Sequence, residues 1–264
     1  MSERHPDGQV TREVRGNILL MGIDRAEKYN GLTPKMFTEL TDLYNELDTN
    51  DALRVGVLFA HGKHFTAGLD LPKFVEHMKK GERSYMREGQ PDVYALRKRC
   101  SKPIVVAVHG ITYTAGIEMM LAADIVIAAS DCRFSQLEPK RGIMAAGGAT
   151  FRFVERGGWG NAMYHLLTCD EFNATEAYRC GFVQEVVEPG KQLDRAIAIA
   201  EQIAKLAPLA IRATKANSAR YLRDGEAACI GEFEGIQKRL SNSADAAEGV
   251  QSFVERRDAR FQGK

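Results

Sequence analysis

Lys102-Pro-Ile-Val-Val-Ala-Val-His-Gly-Ile-Thr-Tyr-Thr-Ala-Gly-Ile-Glu-Met-Met-Leu-Ala-Ala-Asp-Ile-Val-Ile-Ala-Ala129 holds two short apolar runs on either side of a segment of strong helix formers. The runs Ile104–Val108 and Ile125–Ala129 are bounded by Pro103, Gly110, Asp124 and Ser130, and such runs suit strands buried on both faces of a sheet. Residues 116–123 between them complete a strand, helix, strand unit, which is how a parallel sheet is built. The fold class is therefore α/β.

Moving toward the N-terminus, Val55–Ala60 repeats the buried-strand style, and residues 33–47 change to helical spacing. Thr33 is placed to cap that helix and Pro34 to open it, with Phe37, Leu40, Leu43, Tyr44 and Leu47 on one face. Residues 10–24 alternate around Gly16-Asn17 and predict a β-hairpin. Toward the C-terminus, Arg133-Phe-Ser-Gln136 reads as a further short strand. Helical periodicity then covers residues 161–167, 174–180 and 193–207 and continues to Phe261. An α/β body followed by a helical tail results.

With 36 Lys+Arg against 35 Asp+Glu in 264 residues, the chain has no net field to favour nucleic acid or an anionic membrane. Its 44% hydrophobic content is that of a folded globular chain. No apolar stretch approaches the roughly 20 residues of a membrane span, and residues 1–24 lack the stages of a secretory signal. Cys100, Cys132, Cys169, Cys180 and Cys229 are scattered, without a C-x-x-C pair, so neither a disulfide framework nor a zinc site is expected; reduced thiols fit a cytoplasmic protein.

Chemistry is expected at the two turns that follow buried strands. His64-Phe-Thr-Ala-Gly-Leu-Asp-Leu71 has small residues that let backbone approach a ligand, and Gly110-Ile-Thr-Tyr-Thr-Ala-Gly-Ile-Glu118 runs into a helix whose first amides lack partners. One amide from each could converge on a carbonyl oxygen and stabilise an oxyanion, each donor being worth about 3 kcal/mol. Glu118 lies in the first turn of an otherwise apolar helix, where burial would raise its pKa, and Glu138 follows a strand end. On the residues alone, both turns also read as packing turns, Glu118 as a favourable charge at a helix N-terminus and Glu138 as part of a surface loop. His109, at the end of a buried strand, reads as a structural hydrogen-bonding residue. No phosphate loop, nucleophile elbow, H-E-x-x-H or dinucleotide fingerprint is present, so no cofactor and no metal are expected.

In order along the chain, Arg25-Ala-Glu-Lys-Tyr-Asn30, Ala67-Gly-Leu-Asp70, Lys102-Pro-Ile-Val-Val-Ala-Val-His-Gly110, Phe134-Ser-Gln-Leu-Glu138 with Gly142, and Phe253-Val-Glu-Arg-Arg257 resemble the motifs of the crotonase superfamily, the enoyl-CoA hydratase/isomerase proteins. The resemblance spans nearly the whole chain. It implies a crotonase-like (ClpP/crotonase) spiral core of β-β-α units over residues 1–200, carrying an acyl-CoA site, and a C-terminal helical oligomerisation region over residues 201–264. It further implies a homotrimer or homohexamer. Carried over, the Leu69 and Ala115 amides would form the oxyanion hole of an acyl-CoA thioester, and Glu118 and Glu138 would be the paired catalytic acids that add water across C2=C3. Lys28, Ala67, Gly68, Asp70, Leu71, Gly116 and Arg256 would lie at the CoA or substrate. Coenzyme A enters as part of the substrate, with no further cofactor.

This sequence departs from the family pattern at Thr114-Ala115-Gly116, where three glycines are usual, and at Ala26, Leu137 and Ala145, where prolines are common. Enoyl-CoA hydration is thus the expected activity. A double-bond isomerase of the same family and a non-catalytic acyl-CoA-binding oligomer are the alternatives, and RNA binding by the basic tail is a weaker one.

Overall fold

In the computed structural model, which describes residues 5–83 and 85–264, strands β1 (Gln9–Arg15) and β2 (Ile18–Asp24) form the expected hairpin. The turn takes Gly16 to φ +57°, open to glycine at little cost. Helix α1 (Pro34–Thr49) begins where Thr33 and Pro34 predict, the Thr33 hydroxyl accepting from the Met36 amide at 3.3 Å. Strand β3 (Val55–Ala60) and helix α2 (Val75–Lys80) follow, then β4 (Ile104–Val108), β5 (Ile111–Tyr113), α3 (Ala115–Ala122), β6 (Ile125–Ala129) and β7 (Arg133–Ser135). The strand, helix, strand unit thus contains an extra strand, β5, hidden in the sequence because it is only three residues long. The second half comprises α4 (Ala149–Thr168), β8 (Phe172–Asn173), α5 (Ala174–Arg179), β9 (Glu185–Val187), α6 (Gln192–Ala204), α7 (Pro208–Asp224), α8 (Glu226–Ile230), α9 (Phe233–Ser241) and α10 (Ala244–Glu255).

Among the described residues the strands form two sheets. The larger has the order β1-β2-β3-β4-β6-β9, parallel throughout except for the hairpin; the smaller has the order β5-β7-β8. Alternation divides the large sheet between two cores. Leu19, Met21, Ile23, Val106 and Val108 pack with α1, α3 and α4 residues such as Phe37, Ile117 and Phe153. Ile18, Leu20, Val57, Val105 and Ile127 meet Ala196, Ile197 and Ala200 of α6. Both faces being covered explains why these strands read as unbroken apolar runs.

Three expectations change. Helix α4 starts at Ala149 rather than near Asn161, and is broken at Gly158, whose φ 75° and ψ 164° are not helical. Helix α6 runs through residue 200, where the core was expected to give way to the helical tail, and Ala200 is buried against the large sheet. Residues 256–264 are not helical but fold back onto the body: Arg54 donates to the carbonyls of Ala204 and Phe261, and Asp245 accepts from the Gln262 and Gly263 amides. Among the described residues no helix is long and apolar enough to cross a membrane, and all five cysteines are buried free thiols.

Candidate active site

The turn after β3 is stitched down amide by amide. Phe65 donates to the His109 carbonyl (2.9 Å), Thr66 to Ile111 (3.1 Å), Ala67 to Tyr29 (3.0 Å), Gly68 to the Thr66 hydroxyl (3.0 Å) and Asp70 to Leu32 (2.8 Å). Within residues 65–70, only the Leu69 amide has no acceptor among the described residues. The Arg25–Asn30 segment makes this possible. Asn30 Nδ2 donates to the carbonyls of His61 and His64 at 2.8 and 2.7 Å, its Oδ1 accepts from the Arg25 amide, and its own carbonyl accepts from the Thr66 hydroxyl.

The second turn is tied to the first. Thr66 and Thr112 form a parallel bridge, Tyr113 donates to the Thr66 carbonyl at 3.0 Å and Thr114 to Ser135 at 3.0 Å. Ala115, next in line, is the first residue of α3 and has no acceptor in its own helix. Thr114 sits at φ 47°, ψ −114°, a strained conformation for a β-branched residue. Its side chain occupies the space left by Gly68: a Cβ there, at φ +104°, would lie 1.9 Å from Thr114 Oγ1. The threonine at this turn is thus accommodated by a glycine on the other.

Both turns open on one cavity of about 460 Å³, lined by Ala67, Leu69, Leu71, Thr114 and Ala115 together with Glu118 and Glu138. Glu118, 4% exposed, is held by the Gly147 and Ala149 amides, which donate to its Oε1 at 2.6 and 3.2 Å. Burial pushes its pKa up, while those amides and the nearby Arg83 and Arg152 pull it back. Glu138 lies at the start of the 3-10 turn Pro139–Arg141; burial and the neighbouring Glu118 charge push its pKa up to about 7. The Gln136 side-chain amide faces that carboxyl, within 3.0 and 3.3 Å of its oxygens. Two carboxyls that repel one another share a proton most readily, and the one with the amide donors and cationic neighbours keeps the charge. Glu118 is that one.

The remaining expected residues fall elsewhere. Gly68 and Gly116 are packing positions, Gly116 leaving room for the Thr66 methyl, which an added Cβ would approach to 2.6 Å. The Asp70 carboxylate is committed to Arg25 at 2.8 Å. Lys28 and Arg256 are exposed and do not line the cavity. His109 keeps a structural bond, its Nε2 lying 3.0 Å from the Gly62 carbonyl. His165, Glu176 and Cys180 bring ligand-type atoms within 4.8 Å, but Arg179 holds that carboxylate at 2.6 and 2.7 Å, leaving no charge for a cation.

Sequence reasoning missed the groups that hold Glu118. Gly147-Gly148 was the available signal, since a Cβ on Gly147 would meet Glu118 Oε2 at 2.4 Å. Buried Arg152 secures this strand of chain by donating to the carbonyls of Gly147 (3.1 Å) and Tyr94 (2.6 Å). The segment between Phe74 and Tyr94, which no periodicity places, supplies a wall of the cavity through His77, Met78, Arg83, Tyr85 and Tyr94.

Comparison with known proteins agrees with this architecture. A family model described as enoyl-CoA hydratase/isomerase matches residues 13–264. The chain is 32% identical to (E)-benzylidenesuccinyl-CoA hydratase of Thauera aromatica, over 96% of this chain and 99% of that protein. It is 27% identical to 2,3-dehydroadipyl-CoA hydratase of Escherichia coli, over 97% and 98%. Among solved structures, a probable enoyl-CoA hydratase/isomerase of Mycobacterium abscessus superposes with a TM-score of 0.94 at 43% identity, covering 97% of this chain and 98% of that one. The enoyl-CoA hydratase of Mycobacterium tuberculosis gives 0.86 at 33% identity over 98% and 100%. With its two glutamates and two turns on one cavity, and this match along almost its whole length, the chain belongs to the enoyl-CoA hydratase/isomerase family and has the crotonase fold.

Proposed function

We propose that the protein is an enoyl-CoA hydratase. The observation that carries this reading is the meeting on one cavity of two buried carboxyls and two amides that have no acceptor among the described residues. The Leu69 and Ala115 amides would receive the thioester oxygen, drawing electron density from the alkene so that C3 becomes electrophilic. Glu118, the better holder of negative charge, would accept a proton from water as its oxygen bonds to C3. Glu138, protonated up to about pH 7, would deliver a proton to C2 as the enolate collapses. Water is consumed and both carboxyls exchange their protons with solvent before the next turnover. The names of several relatives as hydratases support this reading, among them a crotonyl-CoA hydratase of Syntrophomonas wolfei and a short-chain-enoyl-CoA hydratase of Clostridium acetobutylicum.

Loss of the conjugated thioester absorbance on adding the protein to a 2-enoyl-CoA tests it, with Glu138→Gln and Glu118→Gln each lowering kcat at least about 100-fold. Incorporation of label from heavy-oxygen water into the product distinguishes hydration from a double-bond shift, which takes up none. Full activity in either variant would remove the mechanism.

A homo-oligomer is part of the proposal. Val250, Phe253 and Val254 of α10 are 68%, 84% and 70% exposed, and Trp159 and Leu167 of α4 are 70% and 71% exposed, an apolar surface that a lone protomer would leave in water. Sedimentation at micromolar concentration should give a trimer or hexamer. The five buried thiols support a reducing, cytoplasmic setting.

A further inference from the structure

The hydratase reading uses the oxyanion turns and both glutamates but leaves one wall of the cavity without a role. That wall carries two arginines, Arg83 and Arg141, and two phenols, Tyr85 and Tyr94. A pocket for a plain alkyl chain gains nothing from guanidinium groups, which lose their water when substrate fills the cavity.

Arg83 is half-buried, and one of its five N–H groups is taken up by the Ala146 carbonyl. No carboxylate among the described residues lies within ion-pair distance of it, although its charge is felt at Glu118, Tyr85 and Tyr94. Arg141 belongs to the 3-10 turn after Glu138, and among the described residues its guanidinium reaches only the Lys140 carbonyl, at 3.4 Å. Glu82, the other acid on the cavity wall, is exposed and pairs with neither arginine among the described residues. Tyr85 stands edge-on to Phe74 at 5.1 Å and is tilted against Phe37 at 5.3 Å, so its ring is held in place on the cavity wall that Arg83 also lines. A planar fork with donors to spare, positioned by its own backbone contact on a cavity wall that also carries two phenol rings, has the shape and charge to hold a carboxylate in a two-pronged grip.

We propose that the acyl group of the substrate carries a carboxylate beyond C3, bound by Arg83, with Arg141 adding positive charge and the Tyr85 and Tyr94 rings covering the carbon chain. This rests on the hydratase reading and names its substrate class.

Hydration rates of three 2-enoyl-CoA thioesters of one chain length, ending in a carboxylate, its methyl ester or a methyl group, test it. The kcat/KM ratio of carboxylate to methyl ester is expected to be about 10 to 100, the range for a hydrogen-bonded charge. Arg83→Gln should bring that ratio to within about threefold of one, Arg83→Lys should keep part of it, and Arg141→Gln should lower it by less. Because the ratio is internal to each variant, a general loss of activity cancels. A native ratio near one, or a ratio that Arg83→Gln leaves unchanged, overturns the carboxylate site while the hydratase reading stands. Failure of all three substrates removes both. If Arg83 instead grips the nucleotide phosphates, Arg83→Gln slows all three equally and the defect disappears with the corresponding pantetheine thioesters. If it only tunes Glu118, the three pH profiles move together. Either result overturns the proposal.

Discussion

Replacing Glu138 by glutamine should make the protein more stable in alkaline solution while removing its activity. In the folded chain, burial and Glu118 hold the Glu138 pKa at about 7, whereas in the unfolded chain it returns to the ordinary value of 4.5. Between those values the folded state keeps a proton that the unfolded state has lost. Stability from this group is therefore complete below 4.5 and declines as pH rises through 7. Taking both pKa values, the loss between pH 5 and pH 8 is about 2.5 kcal/mol. Glutamine fills the same space without the ionisation, so the variant escapes that loss. Urea unfolding of native and variant protein at pH 5 and pH 8, at one protomer concentration, measures it. The quantity to read is the variant-minus-native difference at pH 8 less that at pH 5, in which titrating groups that do not interact with Glu138 cancel, while Glu118, coupled to it, is read with it as one pair. A value near zero would show that the Glu138 carboxyl is not strained by its surroundings, and the assignment of the proton-donating role would lose its basis.

Gly147→Ala brings a methyl to 2.4 Å from Glu118 Oε2 at a backbone position outside the left-handed region, so the carboxylate must shift. A displacement of this order should lower kcat about 100-fold, and steady-state rates within about threefold of native would contradict the need for that placement. Thr114→Gly releases a β-branched residue from φ 47°, ψ −114°. Strain of about 2 kcal/mol less the added freedom of glycine when unfolded leaves a net gain of about 1 kcal/mol in denaturant titration, and a loss of stability instead would refute the strain. Asp70→Asn breaks the pair with Arg25 and should cost about 2 kcal/mol of stability in the same titration. Calorimetric affinity for CoA should stay within about twofold of native, and a selective fall in affinity would restore Asp70 to the ligand site.

The large sheet was legible because its strands are covered on both faces and so spell out unbroken apolar runs at Val55–Ala60, Ile104–Val108 and Ile125–Ala129. Strands β5, β8 and β9 were not, being two or three residues long and held by pairing rather than by an apolar pattern of their own. Within the site, Glu118 and Glu138 stood out as acids in apolar or strand-end settings, and both line the cavity. Asp70, named only through the resemblance, pairs with an arginine 45 residues away in sequence, a partner that no local pattern announces. Arg83 was hidden because the described residues 75–83 and 85–94 combine one short helix with irregular chain, where no period marks which side chains turn inward. The grip of Gly147 and Ala149 on Glu118 is made by backbone, which carries no residue-type signal beyond the adjacent glycines.

The break at Gly158 divides α4 into two helical segments. The first half carries the Ala149 amide and Arg152, which fix Glu118 and its surroundings; the second presents Trp159 and Leu167 outward. If protomers associate through the outward half, as proposed, the interrupted hydrogen-bond ladder at Gly158 separates that contact from the half that holds Glu118. Catalytic competence would then be insulated from assembly, so that diluting the protein until its subunits part changes how it sediments well before it changes what each subunit turns over.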